Sequence, residues 1–152
     1  MRVRPYVEDD LTAVYVIQLR CPQAAQWREQ DYLHLLRDPL GSIVVVEDDD
    51  ARVAGFAAFH RVLDEAELRN IAIDPSQRRK GMAHLLLAAG VHALQDSGVR
   101  RIFLEVRASN TPALALYEAV GFRLLNTRHD YYQDPIENAQ VMVLDISASP
   151  AF

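Results

Sequence analysis

Between Ile71 and Ser97 the sequence passes from a short apolar, β-branched run through Asp74-Pro75 and a basic turn, Arg78-Arg79-Lys80-Gly81, into a long apolar segment. Met82, Leu85, Leu86, Ala89 and Ala93 recur there at i, i+3, i+4, i+7 and i+11, which predicts a helix with those residues on its buried face and Gly98 as its stop. A strand that turns through cations into a helix constrains everything around it. The helix must pack on the sheet the strand belongs to, and its first backbone N–H groups face the turn without intrahelical partners. Those groups, the positive end of the helix dipole, three cations and a glycine suit an anion such as a phosphate. A solvated basic loop with a helix-starting glycine explains the same residues. No Walker loop, dinucleotide-type G-x-G-x-x-G or serine-hydrolase G-x-S-x-G occurs.

The flanking sequence predicts a mixed sheet. Arg2 to Val7 reads as a short strand, followed by a helix from the carboxylates Glu8-Asp9-Asp10 to about Arg20, and a second helix from Arg28 to Arg37, stopped by Asp38-Pro39. Ile43 to Val46 and Arg52 to Phe59 form a hairpin around Glu47-Asp48-Asp49-Asp50, a run read as a solvated turn. Glu67 to Asp74 supplies a third strand, and Asp64, Glu65 and Glu67 read as a solvated entry to it or as the border of a substrate approach. After the long helix, Arg101 to Arg107 is a strand that puts Ile102, Leu104 and Val106 on one face and Phe103, Glu105 and Arg107 on the other. Thr111 as N-cap and Pro112 open a short helix that closes at Gly121. Strands over about Phe122 to Thr127 and Gln140 to Ile146 complete the order β-α-α-β-β-β-α-β-α-β-β, an α/β (α+β mixed-sheet) chain with an antiparallel meander and at least one parallel crossover.

The chain has 152 residues, 50% hydrophobic and 24% charged, with net charge −5. That length buries roughly 70% of the surface exposed when unfolded, enough for one domain over residues 1–152 without metal or disulfide staples. The acidic balance argues against a general nucleic-acid binder, because phosphate neutralisation supplies most of that affinity. Cys21 stands alone, read as a partly buried small hydrophobe in a reducing compartment, and the five histidines show no metal-ligand spacing. With no apolar run near ~18 residues and a charged start, no membrane span or leader is expected, and the location implied is cytoplasmic.

Arg78-x-x-Gly81-x-Ala83 resembles the Gln/Arg-x-x-Gly-x-Gly/Ala pattern with which GNAT-superfamily N-acetyltransferases hold the pyrophosphate of acetyl-CoA, and the element order is similar to that of the GNAT acyl-CoA N-acyltransferase fold. Asp64-Glu65-Ala66-Glu67-Leu68-x-Asn70-Ile71-Ala72-Ile73-Asp74-Pro75, Leu104-Glu105-Val106-Arg107-Ala108-Ser109-Asn110, Ala115-Leu116-Tyr117-Glu118 and Gly121-Phe122 resemble the bacterial RimI-type enzymes, which acetylate the N-terminal alanine of a small-subunit ribosomal protein. The resemblance implies acetyl-CoA as cosubstrate, no metal, and a protein N-terminus as acceptor, a basic ribosomal protein in particular. It implies no direct nucleic-acid or membrane partner and leaves the oligomeric state open.

It also implies roles for individual residues. Glu105 matches the proton acceptor, although an exposed strand carboxylate paired with Arg107 on the same face explains it as well. Tyr117 matches the proton donor, its phenol being protonated near neutrality, or is a core aromatic. Ile71, Ala72 and Ile73 match the strand that pairs with the pantetheine arm. Arg78, Arg79, Lys80, Gly81, Met82, Ala83 and His84 match the pyrophosphate loop. Asn110 matches a contact to the cofactor arm or caps the next helix. Relatives often carry Phe-Pro-Trp in the first helix-helix connection; here it is Ala25-Gln26-Trp27, so Trp27 alone is retained as a peptide-pocket residue. Tyr131 and Tyr132, after Asp130 where relatives usually have Asn, match a loop that grips the peptide backbone, or are ordinary aromatic loop packing. Read locally, the net charge divides into cations at Arg78 to Lys80 and carboxylates at Asp64 to Glu67 and Asp130 to Glu137, a distribution that suits an anionic cofactor and a basic acceptor.

Overall fold

The structure, a computed structural model, describes residues 1–146. The last six residues of the expected 1–152 domain lie outside the described residues. The chain forms β1 (Arg2–Pro5), a 3-10 turn at Glu8–Asp10, α1 (Leu11–Leu19), α2 (Glu29–Arg37), β2 (Gly41–Glu47), β3 (Val53–Val62), β4 (Glu65–Ile73), a 3-10 turn at Pro75–Gln77, α3 (Met82–Asp96), β5 (Arg101–Arg107), α4 (Thr111–Val120), β6 (Arg123–Tyr132) and β7 (Glu137–Asp145). The strands make one sheet in the order β1-β2-β3-β4-β5-β7-β6. Among the described residues only β4 and β5 pair in parallel, joined by the α3 crossover. The mixed sheet and the element order agree with the sequence reading.

Strand alternation feeds a core on each face. On one face α1 and α2 bury Val14, Ile17, Tyr32 and Leu35 against Val45, Phe56 and Ala72. On the other, α3 and α4 bury Leu86, Leu87, Leu94 and Tyr117 against Phe59, Ile102 and Leu104. The long helix meets the sheet one position away from the predicted stripe: Met82, Leu86, Leu87, Gly90 and Leu94 are buried, whereas Leu85 and Ala93 are exposed. Gly90 sets this seam. A Cβ there would lie 2.7 Å from Cε2 of the buried Phe59 ring, so glycine lets the helix approach β3.

Several boundaries also shift. Glu47 is a buried strand residue rather than part of a solvated turn: it accepts from Arg2 Nε at 3.1 Å and Arg4 Nε at 3.0 Å. The Glu8–Asp10 carboxylates do not cap α1; Asp10 instead takes two 2.8 Å hydrogen bonds from Arg4 and one from Val7 N–H at 2.9 Å. The α4 N-cap is Asn110, not Thr111, because the Asn110 Oδ1 reaches the Ala113 N–H at 3.3 Å. β6 runs on to Tyr132, five residues beyond the predicted end, so Tyr131 and Tyr132 stand at the end of a strand rather than in a loop.

Two irregularities in the middle of the sheet create the site. In β4 the pairing slips between Ala58↔Asn70 and Phe59↔Leu68, leaving Arg69 as a bulge. Ala66 and Leu68 therefore face the α3 core, while Asn70 and Ala72 turn toward α1 and α2. The β4–β5 ladder holds only Glu65↔Arg101, Ala66↔Ile102 and Glu67↔Phe103. Beyond it the strands diverge, β4 to Ile73 and β5 to Arg107, and each presents an unpaired backbone edge to the gap.

Candidate active site

The splay between β4 and β5 leads directly into the basic turn. Gly81 is the N-cap of α3 with φ +78°, and Arg79 is also left-handed at φ +66°. Two such residues flanking Lys80 curl the backbone, a geometry that gathers N–H groups into an anion-binding concavity. A Cβ at Gly81 would meet nothing within 4 Å, so the dihedral and not crowding calls for glycine. Arg78, Arg79 and Lys80 are exposed around it; Lys80 Nζ donates to Gln77 Oε1 at 2.9 Å, and Arg78 Nη2 lies 3.6 Å from Cys21 Sγ. Cys21 is buried more fully than expected, its thiol against the Ile73 carbonyl at 3.3 Å. The turn, the helix N-terminus and the free edge of Ile71 to Ile73 are thus contiguous and suit an elongated ligand with amides and phosphates.

Across the gap, burial of Ile102, Leu104 and Val106 in the α3/α4 core sends Glu105 to the opposite face, the one that carries α1 and α2. Its partner is Arg128 of β6, whose Nη1 donates to Oε1 at 2.9 Å. The expected partner, Arg107, is taken elsewhere: it pairs with Glu137 at 3.3 Å, and its guanidinium sits 4.2 Å from the centre of the Tyr132 ring. Glu137 also accepts from the Ser109 N–H at 2.6 Å. Arg128 in turn lies 5.1 Å from the Tyr131 ring centre, and Tyr131 meets Tyr132 edge-on at 5.2 Å. The Glu105 carboxylate beside the Tyr131 phenol holds that phenol above its usual value. Glu105 and the adjacent pair Tyr131 and Tyr132, distant from it in sequence, are therefore one cluster, organised by two arginines.

Tyr117 lies on the other face, in α4, buried and edge-on to Phe122 at 5.9 Å. Burial pushes its phenol well above the ordinary value, with a smaller contribution from Tyr132, and keeps it protonated. Trp27 is half-buried in the α1–α2 connection, its ring 5.1 Å from that of Tyr32. Beside it, between α2 and β4, opens a cavity of about 550 Å³ lined in part by Asp31, Asp38 and Glu67. Asn110 is engaged as the α4 cap. His84 is exposed on the first turn of α3.

Sequence reasoning missed two features. Arg128 has no local signal pointing to Glu105, since they meet only through the β5-β7-β6 register. The buried polar set Gln18, Tyr32 and Asn70 had a visible signal in Gln18 and Asn70, amides among apolar neighbours on a helix and a strand. Among the described residues no group of His, Cys, Asp or Glu is arranged to hold a metal ion, and no helix is long and apolar enough to cross a membrane.

Comparison with known proteins agrees with this fold. Residues 7–122 match the family model of the acetyltransferase (GNAT) family. A ribosomal protein bS18-alanine N-acetyltransferase of Salmonella typhimurium is 39% identical over 140 residues, which span 91% of this chain and 93% of that protein. The crystal structure of the ribosomal-protein-S18-alanine N-acetyltransferase from Escherichia coli aligns with TM-score 0.86 and 35% identity over 99% of this chain and 96% of that one. A variant of the spermidine N-acetyltransferase from Vibrio cholerae aligns with TM-score 0.83 over 95% of each chain at only 20% identity, a likeness of fold alone. The chain thus belongs to the acetyltransferase (GNAT) family and is an acetyl-CoA-dependent N-acetyltransferase.

Proposed function

We propose that this chain acetylates the N-terminal α-amine of a protein, that an alanine-starting ribosomal protein is its acceptor, and that Glu105 and Tyr117 handle the protons. The observation that carries the chemistry is the β4–β5 splay, with Glu105 on one face and Tyr117 on the other. The acceptor class rests on the 39% identity to the Salmonella typhimurium protein, which acts on bS18 alanine by name.

Acetyl-CoA supplies the acetyl group as a thioester, whose C–S bond breaks as the amide C–N bond forms. In this reading the free edge of Ile71, Ala72 and Ile73 hydrogen-bonds the pantetheine arm, with Asn110 near its end. The turn Arg78, Arg79, Lys80, Gly81, Met82, Ala83 and His84 binds the pyrophosphate, the helix dipole adding to the cations. Glu105 takes the proton of the incoming ammonium, directly or through water, from the α1/α2 face. Tyr117, kept protonated by burial, hydrogen-bonds the departing sulfur from the α4 face and gives it a proton, replaced by the second proton that the attacking nitrogen releases as the amide forms. Trp27, Tyr131 and Tyr132 line the acceptor's approach. Near pH 7.4 an α-amine is about 30% neutral and a lysine only ~0.1%, so one carboxylate suffices more readily for the former.

Thiol release from acetyl-CoA, measured with an alanine-starting peptide, the same peptide Nα-blocked but carrying lysine, and spermidine, tests the proposal. Turnover fastest with the free alanine N-terminus is the expected result. Preference for lysine or spermidine moves the function to another amine, and coenzyme A binding without release for any amine leaves a non-catalytic binding module.

A further inference from the structure

We propose that Asn70 is a positioning residue for the acceptor: from β4 it fixes, through the backbone of Ala25, the α1–α2 connection that carries Trp27. The inference rests on the acceptor reading given above. Glu105 faces the same side of the sheet as α1 and α2, and the connection between those helices is bonded to β4, the strand across the splay from Glu105. Residues 20–28 have no strand ladder to hold them. Side chains do so instead. Asn70, only 4% exposed, accepts from the Ala25 N–H at 3.0 Å and donates to the Ala25 carbonyl at 3.0 Å, pairing with that residue as a neighbouring strand would. Its Nδ2 also lies 3.2 Å from the Tyr32 hydroxyl and 3.5 Å from Gln18 Oε1. The Tyr32 hydroxyl donates to Gln18 Oε1, and Gln18 Nε2 donates to the Trp27 carbonyl at 2.7 Å. Ala25 and Trp27 are therefore held by a closed set of three buried side chains.

The bulge at Arg69 is what aims Asn70 at the connection rather than into the α3 core. Asn70 also directly precedes Ile71-Ala72-Ile73. One strand thus holds the cofactor edge with its backbone and the acceptor loop with a single amide, so Asn70 sets the spacing between the two substrates.

Steady-state thiol release by wild type, Asn70→Ala and Tyr32→Phe, varying peptide and acetyl-CoA separately, tests this. Asn70→Ala is expected to raise KM for the alanine-starting peptide by about 10-fold, a loss on the scale of a buried hydrogen-bond pair, with KM for acetyl-CoA within about twofold. Tyr32→Phe should shift peptide KM in the same direction by less. A core truncation on the opposite face of the sheet, Leu94→Ala, should lower Tm yet leave peptide KM unchanged. The proposal is overturned if Asn70→Ala lowers only Tm, moves both KM values alike, or is matched in peptide KM by Leu94→Ala. If wild type acetylates another amine instead of a protein N-terminus, the function proposed above fails by itself, and the same KM comparison on that amine still decides the role of Asn70.

Discussion

Glu105 combines access with restraint. It is exposed on β5 and held by Arg128 at 2.9 Å, in an ion pair open enough to solvent to contribute about 0–1 kcal/mol. Little therefore opposes an incoming ammonium that competes for the carboxylate. Replacing Glu105 with Gln should lower kcat by roughly 10²- to 10⁴-fold, the range of general-base catalysis, while coenzyme A affinity measured by calorimetry stays within about twofold. Unchanged kinetics would remove Glu105 from the reaction. The alternation of the Arg101–Arg107 strand was legible because every second residue there is aliphatic, and burial follows it residue by residue. The partner of Glu105 was not legible. Same-face reasoning along one strand offers only i±2 neighbours such as Arg107, whereas Arg128 arrives from two strands away across β7.

At the scale of elements, long-range contact overrides local pattern in α3. The helix is apolar over most of its circumference, so periodicity alone selects several stripes equally well, and the fit of Gly90 against Phe59 decides among them. Gly90→Ala should destabilise the protein by about 1–3 kcal/mol through overpacking, outweighing the ~1 kcal/mol that alanine gains in helix propensity. Urea unfolding measures this; equal or greater stability would mean that α3 does not press on Phe59. β6 was read short for a related reason. Most of its residues are exposed, which removes the alternation that marks a half-buried strand, and its residues beyond Thr127 are charged or aromatic. The turn from Arg78 to Gly81 was the opposite case: a left-handed glycine ahead of a helix leaves a direct trace in the residue type.

Across the whole molecule, the order of strands and helices follows from the sequence, but the sheet order does not. Alternation fixes which face a residue occupies and says nothing of which strand lies alongside, so neither the insertion of β7 between β5 and β6 nor the splay could be read beforehand. The acidic balance resolves in a similar way. Asp10 and Glu47 are not free surface charge, since Arg4 ties both to the start of the sheet and holds their carboxyls below the usual range. The native state therefore binds fewer protons than the unfolded chain, whose Asp and Glu titrate near ~3.9 and ~4.3, so the stabilisation is complete above about pH 5 and lost as pH falls through the depressed native values. Thermal melts should show Tm nearly constant from pH 7 to about 5.5 and falling below about 4.5. Arg4→Met should lower Tm at pH 7, with the gap to wild type narrowing toward pH 3; a gap independent of pH would dissociate these carboxylates from acid stability. The molecule as a whole places an exposed carboxylate and a buried phenol on opposite faces of the sheet, and the proposed function expects selectivity for the more acidic amine. The most direct measurement is tandem mass spectrometry of an alanine-starting peptide with one internal lysine, after limited turnover with acetyl-CoA at pH 7.4. The acetyl group is predicted on the α-nitrogen; acetylation confined to the lysine ε-nitrogen would contradict the proposed function.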